Sequence, residues 1–198
     1  MTRLPGLQPG RAVSDQEVSW PGYAGARLGS LLKVAGGYLV FWLSLGDESE
    51  AGQHQGHNIR TARLDASFNL VGGPSWITRT AGVQEWNLHV APYGKEHFLM
   101  VYEEIAITGP TSDNWAMYLG NYRGTHLALL DASGVVLSDE LVQDKPLAVT
   151  ANAEPVLLPG GDVAWPFVNP TPDYTTTISA PNGPGQKALH IARVRYCM

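Results

Sequence analysis

Charge is scarce in this sequence: Asp, Glu, Lys and Arg supply 16% of 198 residues, the formal net charge is −5, and Lys and Arg nowhere cluster. Without a basic stripe to neutralise phosphates, nucleic acid is not an expected partner. Cysteine is nearly absent, and Cys197 alone forms no internal disulfide and is read as inert. No apolar run approaches the length of a bilayer span, and the opening MTRLPGLQPG lacks the apolar stretch of a secretory signal. The expectation is a soluble cytoplasmic protein with no membrane partner. GxSxG, P-loop, dinucleotide and CxxC motifs are all missing, which removes the most recognisable enzyme classes and leaves no expected cofactor. His54 and His57, with Glu50 nearby, lie in a Gln- and Gly-rich run instead of a helical HExxH arrangement, so no metal is expected.

Turn formers are plentiful. The 22 glycines and 14 prolines fall between short apolar segments instead of gathering in one linker, the distribution of an all-β chain. Those segments repeat. SLLKVAGGYLVFWLSL, a polar loop and NIRTARLDASFNLVGGPSWIT form one copy; NLHVAPYGKEHFLMVYEEI, a longer loop and THLALLDASGVVLSDELV form the second. The third reads EPVLLPGGDVAWPFVN, a Pro/Gly/Thr-rich loop and KALHIARVRYCM, with no fourth segment. Tyr38, Phe98 and Val163 correspond, 60 and then 65 residues apart, a period somewhat longer than a propeller blade of roughly 40 to 50. Each copy therefore predicts four strands, A to D, with a Gly-containing A–B turn, a long B–C loop and a short C–D turn such as Ala132-Ser133-Gly134.

The unit resembles a bacterial family of tandem repeats in which a YLVVW strand precedes a DIYGARVDASG strand. The residues that carry the likeness are 38–42 and 58–67 in the first copy, and 98–102 and 130–134 in the second. The resemblance implies propeller-like blades and names no catalytic motif. The expected fold is all-β, with three four-stranded blades at 28–80, 86–144 and 153–198, the last lacking its outer strand. Residues 1–20 are expected to supply a closing strand. Because propellers run from four to eight blades, three predict a homodimer with six. A fragment of a longer protein is the alternative, and whether 1–20 closes its own chain or a partner stays open.

In such a ring the A strands line the channel and the long loops share one mouth, where function is expected. The predicted B–C loops are 46–57, 106–123 and 170–186. They carry Asp47 and His57, then Asp113, Asn114, Trp115, Tyr118 and Tyr122, then Asp173 and Tyr174; Trp86 and Asn87 lie nearby. Rings beside Asp and Asn suit a sugar, which stacks its apolar face and bonds through its hydroxyls. Packing of those rings onto the scaffold is the other reading. Ser30, Asn87 and Glu154 are expected at equivalent starts of the A strands. Glu154 and His89 offer an acid and a base near the channel, and Glu103 with Glu104 replaces neutral residues at the end of the second B strand, either as part of a glycosidase pair or as a solvated strand end. Arg60, His126 and His190 are equivalent and are expected to bond between blades. The leading expectation is a lectin-like protein binding a glycan or other small polar ligand; the alternatives are a hydrolase or lyase acting through Glu154, His89, Glu103 or Glu104, and a protein-binding scaffold.

Overall fold

The computed structural model describes residues 27–45, 56–110, 118–143, 147–149, 154–167, 172–175 and 189–196. The predicted closing strand at 1–20, with Trp20, lies outside them. All regular structure among them is strand, in three antiparallel sheets. The first holds β1 (Arg27–Val34), β2 (Gly37–Ser44), β3 (Asn58–Asp65) and β4 (Leu70–Trp76), in that order. The second holds β5 (Val83–Tyr93), β6 (His97–Pro110), β7 (Tyr118–Asp131) and β8 (Val136–Val142). The third has three strands, β9 (Val156–Leu157), β10 (Val163–Phe167) and β11 (His190–Val194), ordered β11-β10-β9. The three sheets follow the order of the three repeats along the chain. No helix among the described residues is long and apolar enough to cross a membrane.

Strand pairing bears out the alignment of the copies. Tyr38 faces Leu64, Phe98 faces Leu130, and Val163 faces Val194, so the three positions occupy one register. The C–D turns are built alike: Asp65 Oδ1 accepts from the amides of Ser67 and Asn69, and Asp131 Oδ1 from those of Ser133 and Val135. These Asp-Ala-Ser turns are the side-chain-capped turns their composition favours. One expected loop was too long. The second B–C connection continues as paired strand to Pro110 and resumes at Tyr118, because Gly120 lets β7 lie against Ala106, whose carbonyl oxygen is 2.2 Å from where a Cβ would sit.

The sheets stack in one direction. Leu39, Phe41 and Leu43 of the first share a core with Phe98, Met100, Tyr102 and Leu130 of the second. On its other face the second sheet presents Ala91, Leu99 and Val101 to Val163, Trp165 and Phe167 of the third. Alternation along a strand explains this, since neighbouring residues point to opposite faces. One face of each sheet meets the opposite face of the next. The middle sheet is thus buried on both sides, which is why β6 reads as a continuous apolar run instead of an alternating one. Outer strands β4 and β8 stay largely exposed. Burying each large core side chain contributes about 1.5–3 kcal/mol. The expected core aromatics Trp42, Tyr102 and Phe167 are all buried.

Candidate functional site

The first strands of the three repeats meet along one line. Lys33 pairs with Tyr38, Pro92 with Phe98 and Leu157 with Val163, so these three correspond. Three residues earlier in each repeat stand Ser30, His89 and Glu154. The middle member is therefore His89, a correction to the expected Asn87. Spacing misled because the A–B turns differ in length and because β1 and β5 each carry a bulge, between Leu28 and Ser30 and between Trp86 and His89. Leu88 fills the space above Gly29: its Cδ2 lies 2.6 Å from where a Cβ would stand.

Ser30, His89 and Glu154 line one open cleft of about 320 Å³, whose walls also include Leu31, Leu32, Val90, Ala91 and Pro92. Ser30 Oγ accepts a 2.8 Å hydrogen bond from the Val90 amide, which ties the first two sheets at the cleft floor. His89 is largely buried and Glu154 exposed. A hydroxyl, an imidazole and a carboxylate thus share one trough. Ser30 was legible only as a strand position, because no motif surrounds it.

The loop-face candidates have a different fate. Glu103 and Glu104, expected at a solvated strand end, are both buried, on opposite faces of β6. Glu103 Oε1 accepts from the Val149 amide at 2.8 Å, and Oε2 accepts from Asn87 Nδ2 at 3.0 Å and from the Tyr174 hydroxyl. Asn87, at a left-handed φ of 49°, also reaches the Val149 carbonyl at 2.8 Å. Tyr122 and Thr125 donate to the Leu147 carbonyl, and Trp165 Nε1 to that of Ala148 at 3.0 Å. Residues 147–149 connect the second and third repeats and carry buried Ala148 and Val149. Side chains therefore replace the strand partners this buried segment lacks. Burial pushes the Glu103 carboxyl up to about 7, although these hydrogen bonds oppose the rise. Burial likewise raises the Tyr122 and Tyr174 hydroxyls.

Glu104 belongs to a third arrangement. It accepts from His126 Nε2 at 3.1 Å and pairs with Arg123 at 2.8 Å, while His126 Nδ1 meets Asp139 at 2.8 Å and Tyr102 donates to Asp139 at 2.8 Å. The His126 hydrogen bond leads in holding Glu104 below the usual carboxylate range. For His126, burial opposes charge, but hydrogen bonds to Asp139 and Glu104 prevail and raise it to about 9. Across from Glu104, Glu85 is 1% exposed and burial pushes it up to about 8.

Arg60, His126 and His190, expected to bond between blades, each meet an aromatic ring of their own sheet. The two histidines stack on the aromatic residue facing them across the strands, Tyr102 at 4.4 Å and Phe167 at 5.1 Å, and Arg60 lies 4.2 Å above Trp76 within its own sheet. His57 is buried, bonded to Gln84 and 5.7 Å from the Trp86 ring. Trp86 and Tyr174 are buried too, so neither offers a ring face to a ligand. Asp173 caps its own turn through the Thr175 amide, and the part-buried Tyr118 bonds Gln84 through its backbone. Asp47, Asp113, Asn114 and Trp115 lie outside the described residues. Among the described residues no group of three or more His, Cys, Asp or Glu is placed to hold a metal ion.

Fold and cleft together define a repeat protein of stacked antiparallel sheets with a polar trough where the leading strands meet. Comparison with protein-family models, with curated proteins and with solved structures found no match.

Proposed function

We propose that this chain is a lectin-like binding module, three blades of a β-propeller that a homodimer completes, with its ligand in the cleft between the leading strands. The observation that carries the reading is that the register-equivalent Ser30 and His89, and Glu154 at the matching distance before β9, line one open cleft. A trough that mixes apolar walls with a few polar groups suits a sugar or similar polyhydroxylated molecule, whose ring lies on the exposed Leu31 and Pro92 while its hydroxyls bond to the polar trio. The loop face is a weaker location, because Asn87, Tyr122 and Tyr174 are engaged in holding residues 147–149.

A glycan array followed by calorimetric titration tests this. Saturable binding by the wild type, weakened at least about tenfold in Glu154→Gln and Ser30→Ala, is the expected result. Absence of saturable binding across the array sinks the lectin reading. The imidazole and carboxylate of His89 and Glu154 in one cleft also favour a second reading, a hydrolase or lyase using them as base and acid. That reading expects turnover that disappears in Glu154→Gln.

A further inference from the structure

The stack has two ends. Within the chain, the face carrying Leu32, Leu39 and Phe41 is covered by the second sheet, and the equivalent face carrying Ala91, Leu99 and Val101 by the third. The same face of the third sheet, carrying Val156, Ala164 and Pro166, has Val156 57% exposed beside Ile191 at 72%. At the other end Phe68 is 53% exposed, at a left-handed φ of 64°, with its ring stacked 4.4 Å from Tyr38. Farther along that first-sheet face Val40, Trp42 and Ala62 are already buried, so the exposed portion is the C–D turn end.

Residue sizes at the turn identify the occupant. Gly134 holds the place in the second repeat that Phe68 holds in the first, and a Cβ there would lie 3.2 Å from Leu39 and 3.7 Å from Phe41 of the preceding sheet. A large pair thus meets a glycine. The residues equivalent to Leu39 and Phe41 at the open end are the smaller Ala164 and Pro166. We infer that a second copy of this chain docks there head to tail, its Phe68 filling the space left by Ala164 and Pro166. A small pair then meets a large ring, the same contact with the volumes exchanged. Applied twice about a two-fold axis, this directional contact closes on itself. It also explains why a bulky residue persists at a turn position where glycine fits without strain.

The inference rests on the propeller reading of the stack and names its partner and contact faces. Light scattering and sedimentation velocity on the full chain test it. The wild type is expected at twice the mass of one chain. Phe68→Gly is expected to weaken the dimer at least about tenfold, as is Ile191→Asp, an exposed position where folding is not at risk. Combining Phe68→Gly with Ala164→Leu recreates the Gly134–Leu39 pairing and is expected to recover the dimer. A wild type that stays monomeric at its highest soluble concentration overturns the inference, whatever else then covers the face. A dimer indifferent to both single substitutions overturns it as well. Ligand binding is scored separately: a monomer that binds glycans leaves the lectin reading intact, and a dimer that binds none leaves the docking intact.

Discussion

Around Glu103 each carboxylate oxygen has a partner inside the fold, whereas Glu154 stands at the edge of an open cleft. Both acids lie close to where one repeat passes to the next. The first is 0% exposed and joins β5, residues 147–149 and residues 172–175; the second is exposed beside Ser30 and His89. The difference teaches that a carboxylate in a repeat scaffold is understood through the backbone it must satisfy. A linker buried between sheets has amides and carbonyls without strand partners, and polar side chains are drawn to them.

Removing the acceptor is the strongest way to break this contrast. Glu103→Ala strands the Val149 amide in the interior and takes one acceptor from the Asn87 amide and the Tyr174 hydroxyl, and is expected to cost about 3–5 kcal/mol in urea unfolding. Glu103→Gln, which keeps an acceptor oxygen, is expected to cost about 1–2 kcal/mol. Should Glu103→Ala unfold like the wild type, the strap around residues 147–149 is not what holds the third repeat in place. Next comes Gly94→Ala at the tip of the β5–β6 hairpin, where a Cβ would lie 2.3 Å from the Tyr196 ring at a φ of +65°. A loss of about 2–3 kcal/mol is expected there, and an unchanged denaturation midpoint excludes the contact between the hairpin and residue 196.

A pH series sharpens the comparison further. Glu103 and Glu85 rise from 4.5 to about 7 and about 8 on folding, so the folded chain keeps protons that the unfolded chain releases. Their contribution is present at pH 4.5 and is lost as pH rises through those values. His126, raised from 6.5 to about 9, acts in the same direction at higher pH, while the lowered Glu104 and Asp139 lose their contribution as pH falls below the ordinary carboxylate range. Urea midpoints are therefore expected to be higher at pH 5 than at pH 8.5, with Glu85→Gln removing part of that slope. A profile that rises toward alkaline pH contradicts the assignment. The smallest effect on stability belongs to Glu154→Gln, within about 0.5 kcal/mol of wild type, and its consequence is expected in ligand affinity alone.

Much of the architecture was legible because turn chemistry and strand periodicity are local. Asp65-Ala66-Ser67 and Asp131-Ala132-Ser133 announce identical turns, and the apolar runs that follow Gly37 and precede Glu103 announce buried strands. The cleft was half legible. Glu154 and His89 stood out as ionisable groups near the leading strands, but their equivalence with Ser30 needed strand pairing, since a bulge shifts register without marking the sequence. Glu103 looked like a solvated acid because burial by a neighbouring repeat leaves no trace in the residues beside it.

By itself, then, the sequence determined the strands, their turns and the threefold repetition, all set by interactions within a few residues or by periodicity along the chain. Only the tertiary structure decided which face of each sheet meets the next, which acids are enclosed, and which three side chains share a cleft. Those outcomes depend on contacts between residues some sixty positions apart, such as Ser30 with Val90, and on turn lengths and bulges that rotate one strand against another.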